Sequence, residues 1–323
     1  MLAKKSVLKV AALAKNPQPP LISRTFITQA VITGLASHFI FGKDAQLADN
    51  IENGKYSNPS TKSNDTTSID LFKRPMEPQY DGHVPLYLHE KFLMYLVSSA
   101  KSYYHPEDGI NIVQLGESTA IPCCLENLKQ IMLKDDVGRR ILRERPNISS
   151  ETLEAFRGSN LPPNSVGMTY FKWLDKEGVG PDTRAPVQYI DDPDHAYIFK
   201  RYRQCHDFYH AINDLPINIE GEITVKCLEA CNIGIPMAIM GSIFAPFRLK
   251  KAQKERLYDI YLPWAVKQGL NSKPLINVYW EEIMHKDVNE VRESLGISKP
   301  PDLRALRKEQ RRLRKELKIR YER

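Results

Sequence analysis

The chain has 323 residues, of which 42% are apolar, and a formal net charge of +7, which suits a protein with a packed core. The positive charge lies at the two ends: residues 1–43 and 301–323 each carry +6, while residues 44–300 carry −5. A nucleic-acid surface on the folded domain is therefore not expected. Its five cysteines are odd in number and form no CxxC pair. This disfavours both a zinc ribbon and a disulfide framework, and favours reduced thiols.

The first 25 residues have the composition of a mitochondrial presequence. They are basic, contain no acid and alternate leucine, valine and alanine with lysine, whereas a secretory signal needs an unbroken apolar core. An ordinary basic tail without structure is the alternative. Residues 26–68 combine an apolar stretch, too short and too polar for a membrane span, with a linker rich in Asn, Ser, Thr and Asp. We expect the compact domain to begin near Ile69.

Residues 69–300 predict one mainly α-helical domain. Helix start and stop signals, such as Pro193 directly after Asp192 and Gly234 after an apolar run, divide it into segments. The predicted helices cover residues 85–104, 123–145, 149–158, 165–178, 193–213, 218–231, 236–247, 249–268 and 274–295. The best candidate for a strand is 186–190, and no internal repeat is found.

Residues 301–323 predict a basic amphipathic helix. Leu303, Leu306, Leu313 and Leu317 recur at helical spacing and form a thin apolar seam among many arginines and lysines. Such a helix suits an anionic membrane surface or an acidic partner. A simple solvated helix end is an equal alternative, because most charge runs are solvated faces.

One segment has the pattern of a metal site. His206 and His210 are four residues apart and share one helix face, Asp207 flanks them, and Glu222 follows after a break at Pro216. Two imidazoles with one or two carboxylates suit zinc, or ferrous iron with open positions. The pattern is neither the HExxH of metalloproteases nor a complete HD phosphohydrolase set. The structural alternative is a pair of core histidines held by hydrogen bonds.

The same residues resemble the Coq-four family of coenzyme Q biosynthesis proteins. The match comprises HDxxH-x(11)-E from His206 to Glu222, together with GRRILRERP, LPPNSVGMTYFKWLD and PDTRAPVQYIDDP, and it extends over about residues 85–300. The resemblance implies a divalent metal, generally zinc, on His206, Asp207, His210 and Glu222. It also implies a peripheral protein on the matrix side of the mitochondrial inner membrane, within a multi-protein coenzyme Q biosynthetic complex.

The reaction that this resemblance implies is removal of the ring carboxylate of a 4-hydroxy-3-methoxy-5-polyprenylbenzoate, giving a methoxy-polyprenylphenol in ubiquinone biosynthesis. If the site binds ferrous iron and oxygen, the decarboxylation is oxidative. The family has also been regarded as a non-catalytic scaffold that organises the complex and presents lipid intermediates. A metal-dependent hydrolase is a third hypothesis.

Three neighbouring features are candidates for substrate contact. Arg203 lies one turn before His206 and is a candidate for the substrate carboxylate, although such an arginine more often pairs with an acid. Residues 234–247 are apolar with small side chains and could line a groove for the prenyl tail, or form a buried core helix. Cys227 and Cys231 are thiolate ligands in one interpretation and buried small hydrophobic residues in the other.

Overall fold

The computed structural model describes residues 75–105, 108–182 and 185–321, and the predicted presequence and linker at 1–68 lie outside them. Its helices are α1 (Leu88–Tyr104), α2 (Gly109–Ser118), α3 (Pro122–Leu133), α4 (Asp136–Glu144), α5 (Ser150–Arg157), α6 (Val166–Glu177), α7 (Pro193–Asn213), α8 (Ile219–Ile233), α9 (Pro236–Phe244), α10 (Lys251–Arg256), α11 (Leu262–Asn271), α12 (Val288–Leu295) and α13 (Leu303–Tyr321). The described residues form no β-strand, so the predicted mainly-α class is confirmed.

Helix α7 is the central element of the core. It begins as predicted, because the Asp192 side chain accepts a hydrogen bond from the His195 amide at 2.8 Å and Pro193 occupies the first helical position. Apolar side chains of its first half, such as Phe199, pack with those of α3 and α9. Apolar side chains of its second half, such as Phe208, join a larger cluster with α6, α8 and α11. The helix is therefore held on two sides.

A stack of three aromatic rings fixes the second half of α7 in place. Phe208 stacks on Tyr170 of α6 at a centroid distance of 3.8 Å and on Trp280 at 4.7 Å. Trp280 is fully buried, and offset aromatic pairs of this kind add about 0.5–1.5 kcal/mol beyond their buried area. The ring stack therefore sets the orientation of the helix that carries both predicted histidine ligands.

The turn between α7 and α8 follows the predicted break. Asp214 ends α7 in the left-handed region at φ 50°, and Asn218 then caps α8 by accepting hydrogen bonds from the amides of Glu220 and Gly221 at 3.1 Å. A Cβ added at Gly221 would lie 1.9 Å from the carbonyl oxygen of Pro216. Gly221 therefore permits a close approach of the chain within this turn.

The predicted helix over residues 274–295 is wrong in its first two thirds. Residues Leu275–Asn277 and Trp280–Glu282 are separate 3-10 turns, and only Val288–Leu295 is α-helical. The chain is held there by tertiary contacts that a continuous helix would not offer. The Arg201 guanidinium of α7 is fully buried and donates to both carboxylate oxygens of Glu281, at 2.6 and 2.9 Å.

Smaller differences have similar causes. The predicted helix 123–145 is two helices, because Asp135 caps α4. The predicted helix 249–268 is interrupted by a π-helical turn, Leu257–Tyr261, and the helix predicted to reach residue 247 ends in a 3-10 turn, Ala245–Arg248. Residues 186–190 are not a strand, because their amides donate to the Glu117 carboxylate instead of a neighbouring strand.

Helix α2 was not predicted. Its sequence, GINIVQLGES, has two glycines and little helical periodicity, so tertiary packing decides its conformation. A Cβ at Gly116 would lie 2.8 Å from the sulfur of Met237 and 2.9 Å from the ring of Phe199. The close packing that this glycine allows cannot be inferred from sequence periodicity.

The basic C-terminal helix begins against the core. Leu303 is buried in the larger apolar cluster, and the Tyr261 hydroxyl donates to the carbonyl of Pro301 at 2.9 Å. Arg304 pairs with Glu177 and Asp214. None of the described helices is long and apolar enough to cross a membrane.

We predict that Gly221→Ala destabilises the protein by about 1–3 kcal/mol, because the new methyl group would overlap the carbonyl of Pro216. Urea denaturation measures this change. Gly109→Ala is the matched control, since Gly109 also lies in the first turn of a helix and has no atom within 4 Å of an added Cβ. Equal stability of the two variants would show that the turn adapts without strain.

Candidate metal centre

The two predicted histidines and the predicted glutamate come together between α7 and α8. His206 and His210 lie on one face of α7, with ring centroids 4.8 Å apart. Glu222, in the first turn of α8, faces both rings. Its two oxygens lie 3.4 Å from His206 Nε2 and 3.4 Å from His210 Nε2, respectively. One ligand atom from each of the three residues lies within 4.8 Å of the others.

The His210 ring is held with one nitrogen directed at the site. Its Nδ1 lies 3.1 Å from the carbonyl oxygen of Leu215, and because a carbonyl only accepts, Nδ1 carries the proton. The same carbonyl accepts from the Trp173 indole at 2.8 Å. His210 Nε2 is buried and makes no hydrogen bond among the described residues. An imidazole whose Nδ1 is held by a carbonyl and whose Nε2 is directed at a carboxylate has the form of a metal ligand.

The His206 ring is oriented by a carboxylate that sequence reasoning missed. Its Nδ1 lies 2.6 Å from Glu229 Oε1, and the Glu229 side chain is fully buried. Lys226 and the Tyr202 hydroxyl donate to the other oxygen of Glu229, at 3.0 and 2.9 Å. Metal-bound histidines commonly donate their second N–H to a carboxylate, which fixes the tautomer and strengthens the ligand. His206 Nε2 is thereby directed at Glu222.

A sequence signal for Glu229 did exist. Lys226 and Glu229 follow Glu222 by four and by seven residues, so all three lie on the same face of α8. Once α8 is placed opposite the histidines, this spacing makes Glu229 a candidate for a contact with the more N-terminal ring. The contact with the Leu215 carbonyl could not be predicted in this way, because any residue type offers the same backbone carbonyl.

Neighbouring charges shift the pKa values of Glu229, Glu222 and His206. Burial raises the pKa of Glu229, but Lys226 and His206 outweigh it and bring this pKa to about 2. Desolvation also raises the pKa of Glu222, yet the two imidazoles hold it well below its usual range. Burial and Lys226 lower the pKa of His206, but Glu229 and Glu222 raise it by more. The pKa of His206 is therefore raised overall. Both carboxylates are therefore ionised at neutral pH, as metal binding requires.

These residues fit a divalent metal. A zinc ion holds nitrogen and oxygen ligands at about 2.0–2.1 Å, so two ligands of a tetrahedral site lie about 3.3 Å apart. The observed Nε2 to carboxylate distances are 3.4 Å. Two imidazoles and one carboxylate are also the donor set of non-haem ferrous sites. The side chain of Glu222 is 37% exposed, so solvent and small molecules reach the site.

The other predicted residues lie beside this group. Asp207 is buried, but it is not part of the group of three whose ligand atoms converge. The Arg203 guanidinium donates to the carbonyl of Ala185 at 2.7 Å and lies close enough to Glu117 to lower its pKa, a change outweighed by the effect of burial. The proximity of Arg203 to Glu117 favours the alternative in which this arginine pairs with an acid and does not bind the substrate carboxylate. Cys227 and Cys231 are buried free thiols that contact each other, and they are not among the converging ligands.

We predict that Glu229→Gln lowers zinc affinity by about 10–100-fold, because the amide cannot supply the charge that strengthens His206 as a ligand. Chelator competition on the metal-free protein measures the change. Glu126→Gln is the matched control, because Glu126 makes a similar contact, 3.1 Å to the Nε2 of His195, elsewhere on α7. Equal zinc affinity of both variants would contradict a role for Glu229 in metal binding.

The sequence matches a known family over most of the described region. Residues 80–301 match the profile of "Coenzyme Q (ubiquinone) biosynthesis protein Coq4". Mitochondrial ubiquinone biosynthesis proteins COQ4 are similar along nearly the whole chain. The protein of Vanderwaltozyma polyspora is 54% identical over 100% of this chain and 98% of its own. That of Zygosaccharomyces rouxii is 59% identical over 93% and 92%, and that of Saccharomyces cerevisiae S288c is 56% identical over 92% and 91%.

A solved structure shares the fold. A protein of Nostoc punctiforme PCC 73102, described as a candidate ubiquinone biosynthesis protein, has been solved at 2.85 Å resolution. It superposes with a TM-score of 0.51 at 19% identity, covering 64% of this chain and 97% of its own. The profile match and the extent of identity to mitochondrial relatives lead to one conclusion. The chain belongs to the Coq4 family of coenzyme Q (ubiquinone) biosynthesis proteins.

Proposed function

We propose that this protein is a metal-dependent carboxy-lyase that removes the ring carboxylate of 4-hydroxy-3-methoxy-5-polyprenylbenzoate in ubiquinone biosynthesis. The observation that carries the proposal is the convergence of His206, His210 and Glu222, with a buried His210 Nε2 that has no other partner. Zinc is the metal that these ligands favour, and ferrous iron is the alternative. Asp207, adjacent to His206, is the fourth ligand in this proposal.

The reaction exchanges one bond for another at a single ring carbon. The bond from that carbon to the carboxyl carbon breaks, carbon dioxide leaves, and the ring carbon takes up one proton, so no oxidant is needed. When bound, the metal supplies a positive charge that stabilises developing oxyanion charge. A carboxylate of the site, Glu222 or Asp207, passes the proton. Trp173 and the turn around Leu215 keep His210 in place, so the group stays preorganised.

An apolar surface for the prenyl tail lies next to the site. Helix α9 packs with Gly241 against the alkyl chain of Lys226, the residue that donates to Glu229. Met237 and Ile239 are buried in the core, which is the core-helix alternative of the sequence analysis, whereas Met240 is half-buried and Phe244 is 54% exposed. We assign the prenyl tail to the partly exposed face that includes Met240 and Phe244.

A polyprenylated substrate resides in a membrane, so the protein has to work at a membrane surface, which in this proposal is the matrix face of the mitochondrial inner membrane within a biosynthetic complex. Helix α1 supports this, because its outward face is apolar where a soluble helix would be polar. Its exposed large apolar residues are Leu88, Phe92, Leu93, Leu96, Val97, Tyr103 and Tyr104.

The activity is tested with purified, metal-loaded protein and carboxyl-labelled 4-hydroxy-3-methoxy-5-prenylbenzoate. We predict release of carbon dioxide by the wild type and a loss of at least about a hundredfold for His210→Ala, because that variant lacks one ligand nitrogen. His195→Ala is the matched control, since His195 is also a buried histidine of α7 but contacts Glu126.

Companion measurements separate the alternatives. Zinc under nitrogen tests simple decarboxylation, and ferrous iron with oxygen tests the oxidative reaction, whose product carries a new hydroxyl group. No release from a folded, metal-bound protein, or complexes that disassemble in His210→Ala, would overturn the lyase and favour the scaffold. Turnover of esters or phosphoesters instead of the benzoate would favour a hydrolase.

We predict that Leu93→Asn together with Leu96→Asn lowers binding to phospholipid vesicles by about tenfold or more, because two apolar side chains lose their burial. Vesicle flotation measures it. The control is Ile217→Asn with Leu270→Asn, two exposed apolar residues outside α1. Equal loss in both double variants would contradict a specific role for α1. Point substitutions are preferable to deleting residues 302–323, because that deletion removes the buried Leu303.

A further inference from the structure

A cleft rich in arginine lies between α10 and α13, and the proposed lyase does not use it. Its volume is about 300 Å³, and five cationic side chains line it: Lys250, Arg256, Arg307, Arg311 and Arg314. The amides of Gln253 and Gln310 complete most of the wall. Five cations around one small cleft, with no carboxylate among the lining residues, are unusual for a surface that meets solvent alone.

One carboxylate balances only part of this charge. Glu220 is fully buried and accepts from the Arg256 guanidinium at 2.8 and 2.9 Å, and Arg307 lies 3.7 Å from it. Among the described residues, neither Arg311 nor Arg314 has a carboxylate within ion-pair distance. Arg256 and its contact to Gln310 therefore form a fixed floor, above which two arginines lack a counter-charge.

The geometry of α13 keeps these arginines together. Arg307, Arg311 and Arg314 are four and three residues apart, so they share one face of the helix. Like charges at this spacing repel each other, and the start of α13 is nevertheless anchored by the buried Leu303, which directs this face at α10. An anion in the cleft would turn the repulsion into attraction.

We propose that this cleft binds a phosphate group. Guanidinium forks match the tetrahedral arrangement of phosphate oxygens, and amide N–H groups supply further donors. The charged side chains that line the cleft are all cations and the volume is small, which suits a phosphate headgroup or a small phosphate compound. The site is separate from the metal centre, because Glu220 and Glu222 are two residues apart on α8 and their side chains point about 160° apart around the helix axis.

The phosphate comes either from a lipid headgroup or from a free compound. The lipid source has support from the neighbouring surface. The Arg248 guanidinium lies over the ring of Tyr103 in α1, at 5.7 Å, and Phe247 is 53% exposed. Lys250 of the cleft follows two residues after Arg248. The apolar outward face of α1 and the cleft are therefore joined by one short segment.

The experiment compares two double variants of the full chain. Arg311→Gln with Arg314→Gln removes two cleft cations, and Lys308→Gln with Lys315→Gln removes two cations of the same helix that do not line the cleft. We expect calorimetry to detect pyrophosphate binding to the wild type at about 0.15 M salt, where diffuse attraction is screened. The first double variant should lose about tenfold or more in affinity, and the second less than about twofold.

Flotation with vesicles of phosphatidylcholine, with and without phosphatidic acid, identifies the source. Displacement from phosphatidic acid vesicles by pyrophosphate supports a lipid headgroup in the cleft. Vesicle binding that pyrophosphate leaves unchanged supports a free phosphate compound. Equal pyrophosphate affinity in the two double variants, or no pyrophosphate binding by the folded wild type, would overturn the proposal. Thermal melting of both variants checks that each is folded.

Discussion

The turn between α7 and α8 is the constraint on which the candidate site depends. In five residues it reverses the chain, and the Leu215 carbonyl at its centre accepts from both His210 and Trp173. Because the same turn touches Gly221 through the Pro216 carbonyl, it also sets where the first turn of α8 begins. The separation between the histidine pair and Glu222 is thus fixed by backbone geometry. The three ligands are therefore brought together by the backbone of a short turn, and no conformational change of a loop is needed to assemble them.

The buried charges around this turn cost folding free energy, but their contacts restrain the geometry of the site. Burying an ion costs several kcal/mol unless partners compensate, so a cluster of this kind is weak as a stabilising device. Glu229 has Lys226, Tyr202 and His206 as partners, and each contact restrains a ring or a chain that reaches the site. The apolar packing of α7 on two sides supplies the stability that such a cluster does not. The arrangement is one in which the core holds the fold and the polar groups hold the geometry of the site.

The sequence predicted those parts of the molecule that local rules decide. Helices α7 and α8 follow from Asp192, Pro193 and Asn218, and the spacing of His206 and His210 placed both on one face. Residues 274–295 and α2 could not be predicted in the same way, because the buried contacts of Trp280 and the close packing at Gly116 come from elements distant in the chain. Glu229 was missed for a related reason, since its role appears only after α8 has been set opposite α7.

Three glutamates of α8 differ in the positive groups that face them. Glu220 and Glu222 lie near the helix N-terminus, where the helix dipole favours negative charge. Glu220 is matched by Arg256, and Glu229 is matched by Lys226. Glu222 faces no lysine or arginine among the described residues, only the imidazoles of His206 and His210. Imidazoles serve as metal ligands when neutral, and they then leave this carboxylate without a counter-charge. A divalent ion in this position would supply that charge and also give His210 Nε2 a partner, which is the arrangement that the proposed carboxy-lyase requires.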